Sequence, residues 1–182
     1  MNNGLKAEKD RIRNEIRQLK KMVFPEDKLK KSYQIFQQLE QKSYFQQTDI
    51  ILAYWAMPDE VQTRDFVLKW FLNRTVLLPV VREDELELRL FTGEDKMVQG
   101  SSFGIYEPTG DVFEQIDSID LIIVPGIAFD KNLNRLGRGK AYYDKLLCST
   151  KAMKVGVCFD FQIVDNIPTE SHDVKMDDVI FG

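Results

Sequence analysis

Four apolar runs of strand length set the limits on what this 182-residue chain can become. Residues 49–55 read DIILAYW, 75–80 TVLLPV, 120–126 DLIIVPG and 154–158 KVGVC. A run without polar alternation has no face to give to water. The first three are therefore expected to be strands covered on both sides, as in a parallel sheet flanked by helices, and the fourth a further strand. Helical periods fill the spaces between. Leu5, Ile12, Ile16, Leu19 and Val23 recur at helical spacing in a first helix whose other face is Arg and Lys. Pro25 suits the first position of a second helix, with Leu29, Tyr33, Phe36 and Leu39 as its apolar stripe. A third helix carries Phe66, Val67, Trp70 and Phe71, and another is expected to begin near Lys140. Leu86, Leu88 and Leu90 alternate with charged residues, the pattern of a half-exposed strand, and a last short strand is expected at 179–181. Glycines and Pro108 make 92–118 the least regular stretch, and 91–110 is the place to look for a lid. Strands alternating with helices predict an α/β fold: a single domain over residues 1–182, a three-layer α/β/α sandwich on a mostly parallel sheet.

Composition narrows the function classes. Hydrophobic residues make up 43% and charged residues 30%, the balance of an ordinary globular protein. No apolar run approaches the length of a membrane-spanning helix, and the N-terminus lacks the apolar core of a secretion signal. Cys148 and Cys158 have neither CxxC spacing nor a histidine neighbour, and read as buried reduced thiols. A cytoplasmic monomer without a membrane partner is expected. A net charge of −4 argues against a dedicated nucleic-acid binder. Charge is uneven, however: residues 5–31 hold ten Lys and Arg against five Asp and Glu, while Glu170, Asp173, Asp177 and Asp178 cluster near the C-terminus. Such runs suit solvated faces, and they also suit a site that takes phosphates and a metal ion.

The stretch RLGRGKAYYD (135–144) carries the most chemistry. It follows a buried strand and leads into a helix, the place where open α/β sheets bind ligands. Gly137 and Gly139 let the backbone approach an anion, the helix start offers unpaired N–H groups, and Arg135, Arg138 and Lys140 add three cations. G-x-G alone equally suits a solvent-exposed basic loop. The density of cations favours phosphate oxygens, which can use each one. The spacing fits neither a Walker A loop nor the dinucleotide G-x-G-x-x-G.

PGIAFD (125–130) followed by RLGRGKAYYD closely resembles the signature of the 5-formyltetrahydrofolate cyclo-ligases, also called methenyltetrahydrofolate synthetases. KDRIR (9–13) resembles that family's basic N-terminal motif and DEVQT (59–63) its folate-side acidic motif. Glu107-Pro108 resembles its mid-chain pair, and Gln162, Pro168 and HDVKMD (172–177) its C-terminal signature. The resemblance spans nearly the whole chain. It implies a sandwich like that of sugar-phosphate isomerases and CoA transferases. The implied reaction turns ATP and 5-formyltetrahydrofolate into ADP, phosphate and 5,10-methenyltetrahydrofolate.

The resemblance also implies roles. Lys9 and Arg13 would reach the ATP phosphates together with Arg135, Leu136, Gly137, Arg138, Gly139, Lys140, Tyr142 and Tyr143, with Arg138 and Lys140 nearest the transferring group as catalytic residues. Asp144 and Asp173 would hold Mg²⁺, which favours one or two carboxylates plus phosphate oxygens. Trp55, Glu60, Arg138 and Tyr142 would bind the folate. On their own spacing, the Lys9/Arg13 pair also suits a solvated face, Asp144 a helix-start charge, and Trp55, Tyr142 and Tyr143 ordinary packing. His172 is expected to be a structural neighbour of Asp173. The chain departs from the family's usual pattern at Ala141 (usually Gly), at 132–134 (usually a Gly-containing turn), at Phe103 (Trp in some members) and at Val81 (Tyr in some). Two other readings share these features: an isomerase or transferase using the same anion turn, and a folate- or nucleotide-binding module without turnover.

Overall fold

The computed structural model describes residues 3–83, 85–100 and 104–182. Phe103 lies outside them. The chain opens with three helices, α1 (Asn3–Met22), α2 (Pro25–Glu40) and the single turn α3 (Ser43–Gln46). Then come strand β1 (Ile50–Leu52), helix α4 (Arg64–Trp70), and strands β2 (Thr75–Arg82) and β3 (Glu85–Leu90). Strands β4 (Met97–Gln99) and β5 (Tyr106–Pro108) pair with each other in the stretch that looked least regular. Beyond them lie β6 (Leu121–Pro125), β7 (Ala128–Asp130), β8 (Arg135–Leu136) and helix α5 (Tyr142–Cys148). Strands β9 (Met153–Cys158), β10 (Ile163–Val164) and β11 (Asp178–Phe181) complete the chain. Among the described residues no helix is long and apolar enough to cross a membrane.

The central sheet runs β11-β9-β6-β1-β2-β3, parallel throughout except for the antiparallel β2–β3 edge. Alternate residues of each apolar run enter two different cores, which is why none of the runs alternates with polar residues. Ile51, Val76, Leu78, Leu121, Ile123, Val155 and Val157 face Ile35 and Leu39 of α2, Phe45 of α3, and Phe66 and Val67 of α4. Leu52, Leu77, Ile122, Val124 and Cys158 face the opposite way, toward Leu146 and Leu147 of α5. These are the three expected layers. Helix α1 stands apart, with Ile12 and Ile16 packed against Ile127, Ala128, Leu136 and Ile167 on and beside the small sheet β10-β7-β8.

Three local expectations are corrected. Helix α2 buries Ser32, Ile35, Phe36 and Leu39, whereas Leu29 and Tyr33 are 57% and 63% exposed. The helix holds more apolar residues than one face can bury, so packing on the sheet chooses its phase, and periodicity alone could not. Cys148 is exposed at the end of α5, because Leu146 and Leu147 take the inward face; only Cys158 is buried. Helix α5 begins at Tyr142 rather than near Lys140, because Ala141 adopts a left-handed conformation (φ 56°, ψ 12°) that ends the preceding turn.

Candidate active site

Two buried polar side chains hold the loops that build the site. Gln162 donates from Nε2 to the carbonyls of Gly126 (3.0 Å) and Ile127 (2.9 Å), and its Oε1 accepts from Phe159 N (2.9 Å), pinning the bend after β6. Asp130 ends β7. Its Oδ1 accepts from the backbone N–H of Asn132 (2.9 Å) and Asn134 (3.0 Å), and its Oδ2 from Asn134 Nδ2 and Ile167 N (both 2.9 Å). Burial works to raise the Asp130 pKa, but these hydrogen bonds outweigh it and hold the carboxyl below its ordinary value. The turn so closed puts Leu133 at φ 63°, a conformation glycine adopts freely.

From β8 the chain enters the glycine turn. Gly139 sits at φ 94°, where an L side chain is strained, and a Cβ there would approach the Arg13 guanidinium at 3.5 Å. Ala141 occupies a left-handed position that favours glycine, so the methyl group is borne at a cost of about 1 kcal/mol. The turn forms one end of a cavity of about 360 Å³. Gly137, Arg138, Gly139, Lys140 and Ala141 line that end, with Arg135, Tyr142, Tyr143 and Asp144 beside them. Trp55, Met57, Pro79, Val81, Leu86, Ile105 and Tyr106 line an apolar wall, and Glu60 is the carboxylate set into it. Ile105 and Tyr106, from the β4–β5 region, also line the cavity, within the stretch that was the place to look for a lid. Trp55 is stacked on Phe91 (centroids 5.7 Å apart), so it is both packed and facing the cavity.

The cations of the site are mostly committed. Arg135 is buried; it donates from Nη2 to Asp144 Oδ1 (2.6 Å), and its Nε is buried without a partner among the described residues. The Tyr143 hydroxyl is likewise buried without a partner among them, and burial, with Glu60 nearby, pushes its pKa well up. Arg138 donates to Glu60 Oε1 (2.9 Å) and to Asp59 Oδ1 (3.2 Å). Glu60 Oε2 accepts from Met57 N (3.0 Å), so both carboxylate oxygens are engaged. The Lys140 side chain makes no hydrogen bond or ion pair among the described residues. Tyr142 lines the cavity with its hydroxyl 3.4 Å from Glu83 O.

Four residues expected at the site do not line the cavity. Leu136 is buried against α1, because alternation along β8 turns it away from Arg135. Arg13 supports the turn from behind, donating from Nε to Gly137 O (3.0 Å) and from Nη1 to Asp10 (2.7 Å). Lys9 donates to Asp173 Oδ2 (2.8 Å) and Glu170 Oε2 (3.1 Å). Asp173 also accepts from Glu170 N (2.8 Å), and Lys9 and this N–H hold its pKa down against burial. The His172 ring lies 3.8 Å from Asp173, half exposed, as its expected role as a neighbour requires.

Helix α1 contributes two cations that motif reasoning passed over. Arg17 lines the cavity. Lys20 is buried, its side chain 4% exposed, with Nζ 3.1 Å from Asp59 Oδ2. The spacing 13, 17, 20 is one helical face and was readable. Nothing in the sequence showed that this face would lie against the 57–60 turn.

The donor set for Mg²⁺ is therefore divided. Asp144 lines the cavity at the glycine turn, with one oxygen on Arg135; Asp173 stands off the cavity wall with Lys9. Among the described residues no group of three or more His, Cys, Asp and Glu side chains forms a ready metal cage. That suits an ion whose remaining ligands are phosphate oxygens and waters, with Asp144 as the protein's carboxylate.

The model of the "5-formyltetrahydrofolate cyclo-ligase family" matches residues 5–182. A mouse protein named 5-formyltetrahydrofolate cyclo-ligase is 30% identical over 186 residues, covering 93% of this chain and 91% of its own. A Haemophilus influenzae protein of the same name is 32% identical, covering 72% of this chain and 75% of its own. The NMR structure of Aquifex aeolicus 5,10-methenyltetrahydrofolate synthetase superposes with a TM-score of 0.85 at 28% identity, over 95% of this chain and 89% of its own. With the match running across every element that builds the cavity, the chain belongs to the 5-formyltetrahydrofolate cyclo-ligase family.

Proposed function

We propose that this chain converts 5-formyltetrahydrofolate to 5,10-methenyltetrahydrofolate at the expense of ATP, releasing ADP and phosphate. The observation that carries this reading is a single cavity joining a cationic glycine turn to an apolar wall with a set carboxylate. A polyphosphate suits the first and a flat heteroaromatic with N–H donors the second. The names of the related proteins support the folate as substrate.

The chemistry explains why both ends must open into one space. A formyl oxygen is a poor leaving group, so direct attack by N10 on the formyl carbon stalls. Transfer of the γ-phosphoryl group to that oxygen forms the new P–O bond as the bond to ADP breaks. N10 then attacks the iminium carbon, and inorganic phosphate departs with the former formyl oxygen. Such a reaction asks for positioning and charge neutralisation more than for covalent help. Lys140, uncommitted at the turn, meets the transferring phosphoryl group. Arg138 joins it on leaving Glu60, and Glu60 then accepts from the pterin N–H groups. Arg17 approaches the nucleotide from α1, while Arg13 and Lys9 brace the elements behind it. Asp144 would hold Mg²⁺ together with the nucleotide, and the ion would supply further neutralisation of phosphate charge.

The test mixes the protein with Mg-ATP and 5-formyltetrahydrofolate and follows the near-UV absorbance of the methenyl product. One ADP per methenyl product supports the proposal. Binding of both ligands with neither product refutes turnover and leaves a binding module; failure to bind the folate leaves the isomerase or transferase reading.

A further inference from the structure

We infer that Lys20 is a positioning residue, which sets the readiness of Arg138 for phosphate by sharing the Asp59 carboxylate with it. The inference rests on the reading of Arg138 as a phosphate contact. The geometry is a chain of four charges. Lys20 Nζ takes Asp59 Oδ2 at 3.1 Å, while Arg138 Nη2 reaches Asp59 Oδ1 at 3.2 Å and Glu60 Oε1 at 2.9 Å. Two cations thus face two carboxylates. Lys20 lies deepest of the four, and neither it nor Asp59 lines the cavity.

A lysine buried this far is not explained by stability. Desolvating an ion pair costs about as much as the pairing returns, and apolar residues of the same volume commonly fill such sites as well. Burial indeed pulls the Lys20 pKa below its ordinary value, with Asp59 opposing that pull. What the pair does supply is a shared carboxylate. With Lys20 on Oδ2 at 3.1 Å, Asp59 meets Arg138 only at the long end of hydrogen bonding, 3.2 Å from Oδ1 and 3.4 Å from the Oδ2 that Lys20 also holds. Without Lys20, the whole uncompensated charge turns to Arg138, and the two contacts tighten toward a two-pronged carboxylate–guanidinium pair. A nucleotide phosphate must then compete against a stronger intramolecular anion. Lys20 therefore keeps Arg138 oriented but releasable, and it acts only through Asp59.

The experiment compares wild type, Lys20→Met, Asp59→Asn and the double variant, reading KM for ATP, KM for 5-formyltetrahydrofolate, kcat, and direct binding of a non-hydrolysable ATP analogue with Mg²⁺. Lys20→Met is expected to raise KM for ATP and the analogue Kd by about tenfold, with folate KM within about threefold, a size typical of coupled neighbours. Adding Asp59→Asn to it restores analogue binding to within about threefold of wild type, a rescue that a merely structural role does not produce. Unchanged ATP parameters in Lys20→Met, or an equal loss in the double variant, overturn the inference. If Lys20→Met does not fold, the double variant and Asp59→Asn decide. They must bind the analogue alike, because without Asp59 the lysine has nothing to act through, and a further loss in the double overturns the inference. Wild type that makes no methenyl product refutes the proposed function instead, a result separate from either.

Discussion

Arg138 donates to Glu60 at 2.9 Å, so a cation of the glycine turn and the carboxylate of the apolar wall are partners. Under the proposed function each must leave the other to meet its ligand. Glu60→Gln is therefore expected to act unequally on the two substrates. Losing a charged hydrogen-bond acceptor should weaken 5-formyltetrahydrofolate binding about 30-fold, while ATP binding holds or improves as Arg138 is loosened. Titration with each ligand separately checks this. Equal losses for both would contradict the division of labour.

Among the described residues, Lys140 differs from every other cation at the turn in having no protein partner to leave. Lys140→Ala is expected to lower kcat about 100-fold or more, the scale for removing one donor from a transferring group, with thermal stability unchanged. Arg138→Ala should also abolish most turnover, and it additionally disturbs Asp59 and Glu60. Steady-state kinetics beside thermal melts distinguish the two. Near-normal turnover in both variants would remove the phosphate-clamp assignment.

Ala141 carries strain that the fold does not need. Relieving its left-handed conformation with Ala141→Gly should stabilise the protein by about 1 kcal/mol, while Gly139→Ala, at φ 94°, should destabilise by at least as much. Urea unfolding measures both. A destabilised Ala141→Gly would show that the methyl group contributes packing that outweighs the strain.

Asp130 joins the β7–β8 turn to Ile167 through three backbone N–H groups. Asp130→Ala strands them and should cost about 3 kcal/mol. Because the folded-state pKa is depressed, the ionised carboxylate's contribution is fully present above the unfolded value of about 3.9 and is lost as pH falls through the lower folded value. Wild type and Asp130→Ala should therefore converge in stability only in strong acid. A gap between them that stays constant down to that range would show that the carboxylate's charge is not what holds the turn.

The two cysteines should separate by reactivity. Cys148 is exposed, whereas Cys158 is buried and its thiol pKa is pushed up by burial. A disulfide reagent should titrate one thiol in the native protein and two in denaturant. Rapid reaction of both in the native state would mean that β9 opens readily.

The layers of the fold were legible because the hydrophobic effect writes them locally. A strand buried on both faces has no polar face, and residues 50–55, 76–80 and 121–126 are apolar throughout. The glycine turn was legible as a turn for a similar reason, since Gly137 and Gly139 stand among cations directly after a strand. The phase of α2, the exposure of Cys148 and the company of each charge were not. Helical period allowed Leu29 and Tyr33 inward, and packing chose Ile35 instead. The motifs placed Lys9, Arg13 and Asp173 among the ligand contacts. The fold sets Lys9 on Asp173 and Arg13 behind Gly137, and it brings forward Arg17 and buries Lys20, which no motif marked. An ion pair links residues distant in the chain, such as Lys20 and Asp59, and its strength depends on separation and burial. Those quantities exist only once α1 has docked on the small sheet. Sequence by itself determined which charges this protein gathers at the glycine turn; tertiary structure alone decided which of them are held by other side chains.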